Sequence, residues 1–160
     1  MANSETPGRQ LRQALGRFTT GVTIVTAAAQ DGTRAGITVN SFASVSLDPP
    51  LILWSIERRS PSLEVFRQAT HFCVNILAVG QEELCQRFSS PQADKFAGVP
   101  HSTGLGGSSK LAGSLAFFEC RNHQQIDGGD HIILIGAVEA FAHSDGEPLV
   151  FFGGELGSLA

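Results

Sequence analysis

Gly36-Ile37-Thr38-Val39-Asn40-Ser41-Phe42-Ala43-Ser44-Val45-Ser46-Leu47-Asp48-Pro49-Pro50-Leu51-Ile52-Leu53-Trp54-Ser55-Ile56-Glu57-Arg58-Arg59-Ser60 contains two extended runs on either side of an Asp-Pro-Pro turn. A half-solvated strand alternates apolar residues with charged or long polar ones. From Ile37 to Leu47 there is no charged side chain, only Thr38, Asn40, Ser41, Ser44 and Ser46 among apolar neighbours. Such short hydrogen-bonding groups suit a surface that is covered, either by neighbouring backbone and a sheet interface or by a flat polar ligand at close range. The run Leu51 to Ile56 is apolar throughout and reads as a strand buried on both faces.

Outward from this stretch, the chain is punctuated into short strands. Arg9 to Arg17 places Leu11, Ala14 and Leu15 on one helical stripe, after Pro7 and Gly8 as a start signal. Val22 to Ala27 is a β-branched strand that turns at Gln30-Asp31-Gly32 and returns from Arg34. Ser60-Pro61 reads as the N-cap and first position of a helix running to about Thr70. His71 to Leu77 is a strand, Gln81 to Phe88 a helix, and Ser90-Pro91 opens a further short helix through Phe96. Residues 98–110 read as a Gly/Ser-rich loop. Ser114 to His123 and His131 to Ala140 form a hairpin around Gly128-Gly129-Asp130, and Leu149 to Phe152 is the last strand. Six or seven antiparallel strands with three or four short helices imply a mainly β, closed or split barrel rather than alternating βαβ units.

With 160 residues, 42% hydrophobic and 16% charged, the sequence describes one domain, 1–160, with 1–8 expected as a flexible tail. The net charge of −4 and the two separated lysines, Lys95 and Lys110, argue against nucleic acid. No apolar run approaches the roughly 20 residues of a spanning helix, and the first residues lack a secretory core, so no membrane partner and a cytoplasmic location are expected. Cys73, Cys85 and Cys120 are odd in number with no paired spacing and read as reduced core thiols; the five histidines lack metal-ligand spacing, so no metal is expected.

Two places carry chemistry. Arg58-Arg59-Ser60-Pro61 sets two guanidinium groups beside a helix start, a natural anion site, or else an ordinary capped helix with solvated arginines. His131 stands at the mouth of an apolar strand beside Asp130, able to orient a ligand or move a proton, or to be a simple turn residue.

Phe18-Thr19-Thr20-Gly21-Val22-Thr23-Ile24-Val25-Thr26, the run from Gly36 to Leu51, Asp94-Lys95-Phe96-Ala97-Gly98, Gly129-Asp130-His131 and Leu149-Val150-Phe151 together resemble the flavin reductase family with the FMN-binding split barrel. These are short NAD(P)H:flavin oxidoreductases that supply reduced flavin to two-component monooxygenases. The resemblance spans about residues 10 to 155. It implies FMN or FAD lying along Gly36, Ile37, Thr38, Asn40, Ser41 and Ser44, with Thr38, Asn40 and Ser41 at the ring edge. It implies a phosphate or pyrophosphate at Ser55, Ile56, Arg58, Arg59 and Ser60, with Phe88 and Lys95 completing the pocket. NADH or NADPH would meet His131, in an orienting role, and Phe152 and Gly153. The family's tail often carries a tyrosine; this chain has none, and Leu156 stands in its place. The resemblance further implies a homodimer and a monooxygenase partner. The alternatives are a split-barrel flavoprotein with a tightly held flavin and another acceptor, or a non-catalytic flavin-binding barrel.

Overall fold

The computed structural model describes residues 6–160; most of the tail expected at 1–8 lies outside them, and Pro7 already belongs to a helix. In chain order the elements are α1 (Pro7–Leu15), β1 (Thr20–Gly21), β2 (Thr23–Ala28), β3 (Arg34–Val39), β4 (Ala43–Leu47), β5 (Pro50–Glu57), α2 (Leu63–Gln68), β6 (His71–Ile76) and α3 (Glu82–Ser89). There follow β7 (His101–Thr103), a 3-10 turn (Leu105–Gly107), β8 (Ser109–Leu111), β9 (Ala116–Gly128), β10 (His131–His143), β11 (Val150–Phe152) and β12 (Glu155–Gly157). Seven strands make the main antiparallel sheet, in the order β3-β2-β6-β9-β10-β5-β4. The mainly β architecture expected from the sequence is thus observed, as a split barrel with three short α-helices.

The stretch that opens the sequence reading is not one long strand before the prolines. β3 and β4 lie at opposite edges of the seven-stranded sheet, and Asn40 to Phe42 carries the chain across the barrel mouth between them. Ser41 fastens this crossing: its Oγ accepts from Ser55 N at 2.9 Å and donates to Ser55 O at 3.2 Å. Phe42 stacks on Phe118 of β9 with centroids 5.7 Å apart, which buries the apolar member of the crossing against the core. The β4–β5 hairpin then turns at Asp48-Pro49-Pro50, with a cis Asp48–Pro49 bond.

Two apolar clusters sandwich β2, whose residues Thr23 to Ala27 are all buried. The inner one surrounds Trp54, Phe66 and Phe72, with edge-to-face rings 4.8 and 5.8 Å from the indole. The outer one gathers Ile24, Leu77, Phe88, Phe96 and Leu149 beneath α3. Each such large side chain contributes about 1.5–3 kcal/mol of burial. β5 departs from the expected double burial: Ile52, Trp54 and Ile56 are buried in the inner cluster, whereas Leu51, Leu53 and Ser55 on the other face are only half-buried.

Other local differences have nameable causes. The segment after Ser90-Pro91 forms no helix, and Lys95 instead reaches back across it. Residues 98–110 hold the small β7–β8 hairpin, pinned from a distance by buried polar groups. Asn75 donates to Ser109 O and accepts from Leu111 N, Thr26 Oγ1 exchanges hydrogen bonds with Ser109, and Glu119 Oε1 accepts from Leu105 N at 2.8 Å. Buried polar atoms need such partners, and the hairpin supplies them.

Candidate functional site

A cavity of about 520 Å³ opens where β3, the crossing, the end of β5 and the segment after α3 converge. The contiguous run Ile37 to Ser41 forms one wall. β3 is an edge strand, so both its side chains and its unladdered main-chain groups border this space. Ser55, Ile56, Arg59 and Ser60 form the second wall, Phe88 and Lys95 the third, and His131 stands at the rim. Glycine is required below it at Gly36, where an added Cβ would sit 2.4 Å from Phe88 Cε1. That close approach lets α3 lie directly on β3.

The polar groups divide between those already engaged and those still able to bind. Thr38 Oγ1 donates to Cys85 O at 2.7 Å, tying β3 to α3, and Ser41 is committed to Ser55. Lys95 Nζ donates to Gly36 O at 3.1 Å and to Phe88 O at 3.0 Å, and burial pulls its ammonium below the ordinary lysine range. An ammonium has three donors, so one remains for a ligand. His131 Nδ1 lies 2.7 Å from Asp130 Oδ1, which fixes the ring and turns Nε2 outward from that bond. The hydrogen bond from His131, followed by the charge of the imidazole, holds the Asp130 carboxyl below its usual range.

The two neighbouring arginines part company. Arg59 lines the cavity; Arg58 does not. Arg58 instead donates from Nε to Gly129 O at 2.8 Å and from Nη2 to Asp127 Oδ1 at 2.7 Å, while its main-chain N donates to Asp130 O. Arg58, expected beside Arg59 at a phosphate, is thus engaged outside the cavity, where it clamps the β9–β10 turn. Ser60 is likewise not the N-cap; α2 begins at Leu63 after Ser62, and Ser60 Oγ accepts from Ser62 N at 3.3 Å in the preceding turn.

Gly36, Ser44, Phe152 and Gly153 are not among the lining residues either. Gly36 contributes its carbonyl to Lys95; Ser44 is exposed on β4 opposite Ile52; Phe152 and Gly153 form the tip of the β11–β12 hairpin, where Gly153 N donates to Gly16 O. Ser62, Ser89, Ser90 and Pro91 line the cavity without having been singled out. Their Ser-Pro spacing read equally well as helix capping, which masked them.

The residues present fit a phosphorylated, flat, polar molecule. The volume is within the usual range of small-molecule sites, and the walls combine apolar surface with hydroxyls and two cations. Among the described residues no cluster suited to a metal ion occurs, and no helix is long and apolar enough to cross a membrane.

Known proteins of the same kind give this geometry its context. The family model described as a flavin reductase like domain matches residues 15–160. The chain is 47% identical over 152 residues to the FMN reductase (NADH) SmoA of Agrobacterium fabrum, covering 95% of this chain and 86% of that protein. It is 44% identical over 146 residues to the reductase component of the flavin-dependent trigonelline monooxygenase of Acinetobacter baylyi, covering 91% of this chain but only 47% of that longer protein. Among solved structures, the Streptomyces globisporus NADH:FAD oxidoreductase SgcE6, in complex with NAD and FAD fragments, superposes with a TM-score of 0.91 at 34% identity, over 99% of this chain and 98% of that one. Matched by that family model over residues 15–160, this seven-stranded split barrel belongs to the flavin reductase like domain family.

Proposed function

We propose that this protein is an NAD(P)H:flavin oxidoreductase that reduces FMN or FAD as a diffusible substrate and passes the reduced flavin to a partner monooxygenase. The observation that carries this reading is the grouping of Lys95, Arg59 and His131 around one cavity walled by the β3 edge. The reaction is NAD(P)H plus H⁺ plus oxidised flavin giving NAD(P)⁺ and reduced flavin, with hydride passing from nicotinamide C4 to flavin N5.

The chain's own contribution is position and field rather than covalent chemistry. Lys95 and Arg59 hold the phosphate, and the β3 edge from Ile37 to Asn40 supports the ring system. His131, held by Asp130, orients the nicotinamide cofactor. Rate then comes from alignment and from preorganised dipoles facing the charge that develops on the ring.

Association as a homodimer belongs to the same proposal. Its support is the apolar surface left open: Leu11 and Leu15 on α1, Phe18 at 79% and Leu47 at 96% exposure, and the half-covered outer face where Leu53 pairs with Ile135. A cytoplasmic location is supported by three buried free thiols.

Absorbance at the nicotinamide band, followed with NADH or NADPH and FMN or FAD in all four pairings, tests the activity. Oxidation well above the rate with flavin alone is expected. No acceleration in any pairing overturns the proposal, and flavin that survives extensive dialysis would favour a prosthetic group over a diffusible substrate.

A further inference from the structure

The rim on which His131 stands carries one more wall residue of the cavity, Glu57, the last residue of β5. Glu57 and His131 are register partners across the β5–β10 ladder. Directly opposed residues project from the same face of a sheet, with Cβ atoms about 5 Å apart. Carboxylate and imidazole therefore border the same stretch of the opening.

The charges at this rim are unequally engaged. Arg58 is held by Asp127 and Gly129 O, and His131 by Asp130. After the hydrogen bond and the charge of His131, the Arg59 guanidinium adds to what keeps the Asp130 carboxyl below its ordinary range, so Arg59 too faces an anion. Glu57 differs from all of these. It is exposed, and no described residue supplies its carboxylate with a hydrogen bond or an ion pair. Among the described residues, the rim thus offers an incoming molecule an open acceptor and no cation free of a carboxylate.

NADH and NADPH differ in one group, a ribose 2′-hydroxyl in the first and a 2′-phosphate in the second. A hydroxyl donates to a carboxylate, and a hydrogen bond to a charged acceptor is among the stronger kinds. A phosphate monoester carries about −1.5 to −2 charges at pH 7 and is repelled by the same carboxylate. We infer that Glu57 is the specificity-determining residue for the nicotinamide cofactor: its carboxylate accepts from the ribose hydroxyls of NADH and disfavours the 2′-phosphate of NADPH. The inference rests on the reading that the cavity takes flavin and that the nicotinamide cofactor enters past His131. A dinucleotide whose nicotinamide end meets His131 extends outward over the ends of β5 and β10, and Glu57 is the unpartnered charge there.

Steady-state kinetics with NADH and with NADPH, FMN being the acceptor, test this for the full chain as wild type, Glu57→Gln and Glu57→Arg. The wild type is expected to show a kcat/KM at least about tenfold higher for NADH, and Glu57→Gln to narrow that ratio about tenfold. Glu57→Arg should carry it further toward NADPH. At about 1 M salt, where charges are screened beyond ~3 Å, the wild-type ratio should narrow and that of Glu57→Gln should hold. The ratio is the readout because weaker folding or weaker flavin binding lowers both activities alike. A ratio unmoved in both variants, or a wild-type ratio indifferent to salt, overturns the inference. A wild type that reduces FMN with NADPH as well as with NADH removes the role of Glu57 and leaves the proposed activity standing; a wild type that oxidises neither above the rate with flavin alone removes both.

Discussion

Arg58 and Asp127 are joined by a 2.7 Å ion pair that ties the end of β5 to the turn carrying His131. With the bond to Gly129 O, the guanidinium spans the whole tip of the β9–β10 hairpin. Arg58 is therefore a positioning residue for His131. In Arg58→Ala the KM for NADH is expected to rise several-fold with flavin affinity unchanged. Stability should fall by less than about 1 kcal/mol, since the side chain is 41% exposed. A parallel loss of flavin affinity in titrations would instead return Arg58 to the phosphate.

His131→Ala tests the orienting role directly. Loss of one hydrogen bond to the nicotinamide cofactor should raise its KM about tenfold while kcat stays within a few-fold. Unchanged KM with abolished turnover in steady-state kinetics would make the imidazole an obligatory proton carrier.

Gly36→Ala places a methyl group 2.4 Å from the Phe88 ring, which is fully buried and cannot yield. Overpacking of this kind costs about 1–3 kcal/mol. Urea denaturation should show that loss. Flavin affinity should fall with it, because the same ring lines the cavity.

The acid limb of stability should carry a contribution from Asp130. Its pKa is lowered from 3.8 by the bond from His131, so near that pH the native chain stays deprotonated where the unfolded chain binds a proton. Stability therefore rises with pH across this interval. In melting curves taken against pH, wild type should exceed Asp130→Asn above the ordinary carboxylate range. The gap should close as pH falls through the lowered value. A gap constant from pH 2 to 7 would refute the linkage.

Burial pushes the Cys120 thiol up to about 12 and raises Cys73 and Cys85 as well. A thiolate is the reactive form, so the native protein should be almost inert to Ellman's reagent at pH 8, and all three thiols should titrate in denaturant. Rapid reaction of any native thiol would show that burial does not protect it.

Much of this molecule was legible in the residues, and what was not had non-local causes. The β9–β10 hairpin announced itself through Gly128-Gly129-Asp130 between two apolar runs, and the cavity walls Thr38, Asn40, Ser60, Lys95 and His131 were marked by their motifs. The break between β3 and β4 carries no glycine or proline; Ser55, 14 residues ahead of Ser41, imposes it. The β7–β8 hairpin hid in a Gly/Ser-rich run because its anchors, Asn75 and Thr26, lie 34 and 83 residues from Ser109. Arg58 and Arg59 are equivalent as letters, and only the register of β5 against β10 separates a turn clamp from a cavity wall.

The crossing at Asn40 to Phe42 has a mechanical consequence. At the barrel mouth, the edge strand β3 and the strand β5 are joined by the paired bonds of a single serine rather than by a ladder. An occupant that touches both Ile37–Ser41 and Ser55–Ser60 becomes a cross-brace for a joint that one serine holds. Hydrogen exchange at Val39 to Phe42 should slow on loading. At a hundredfold excess over Kd, the gain in folding free energy should approach about 2.7 kcal/mol. Letting go of the reduced product would then unbrace the barrel, so turnover and breathing of the shell share one hinge.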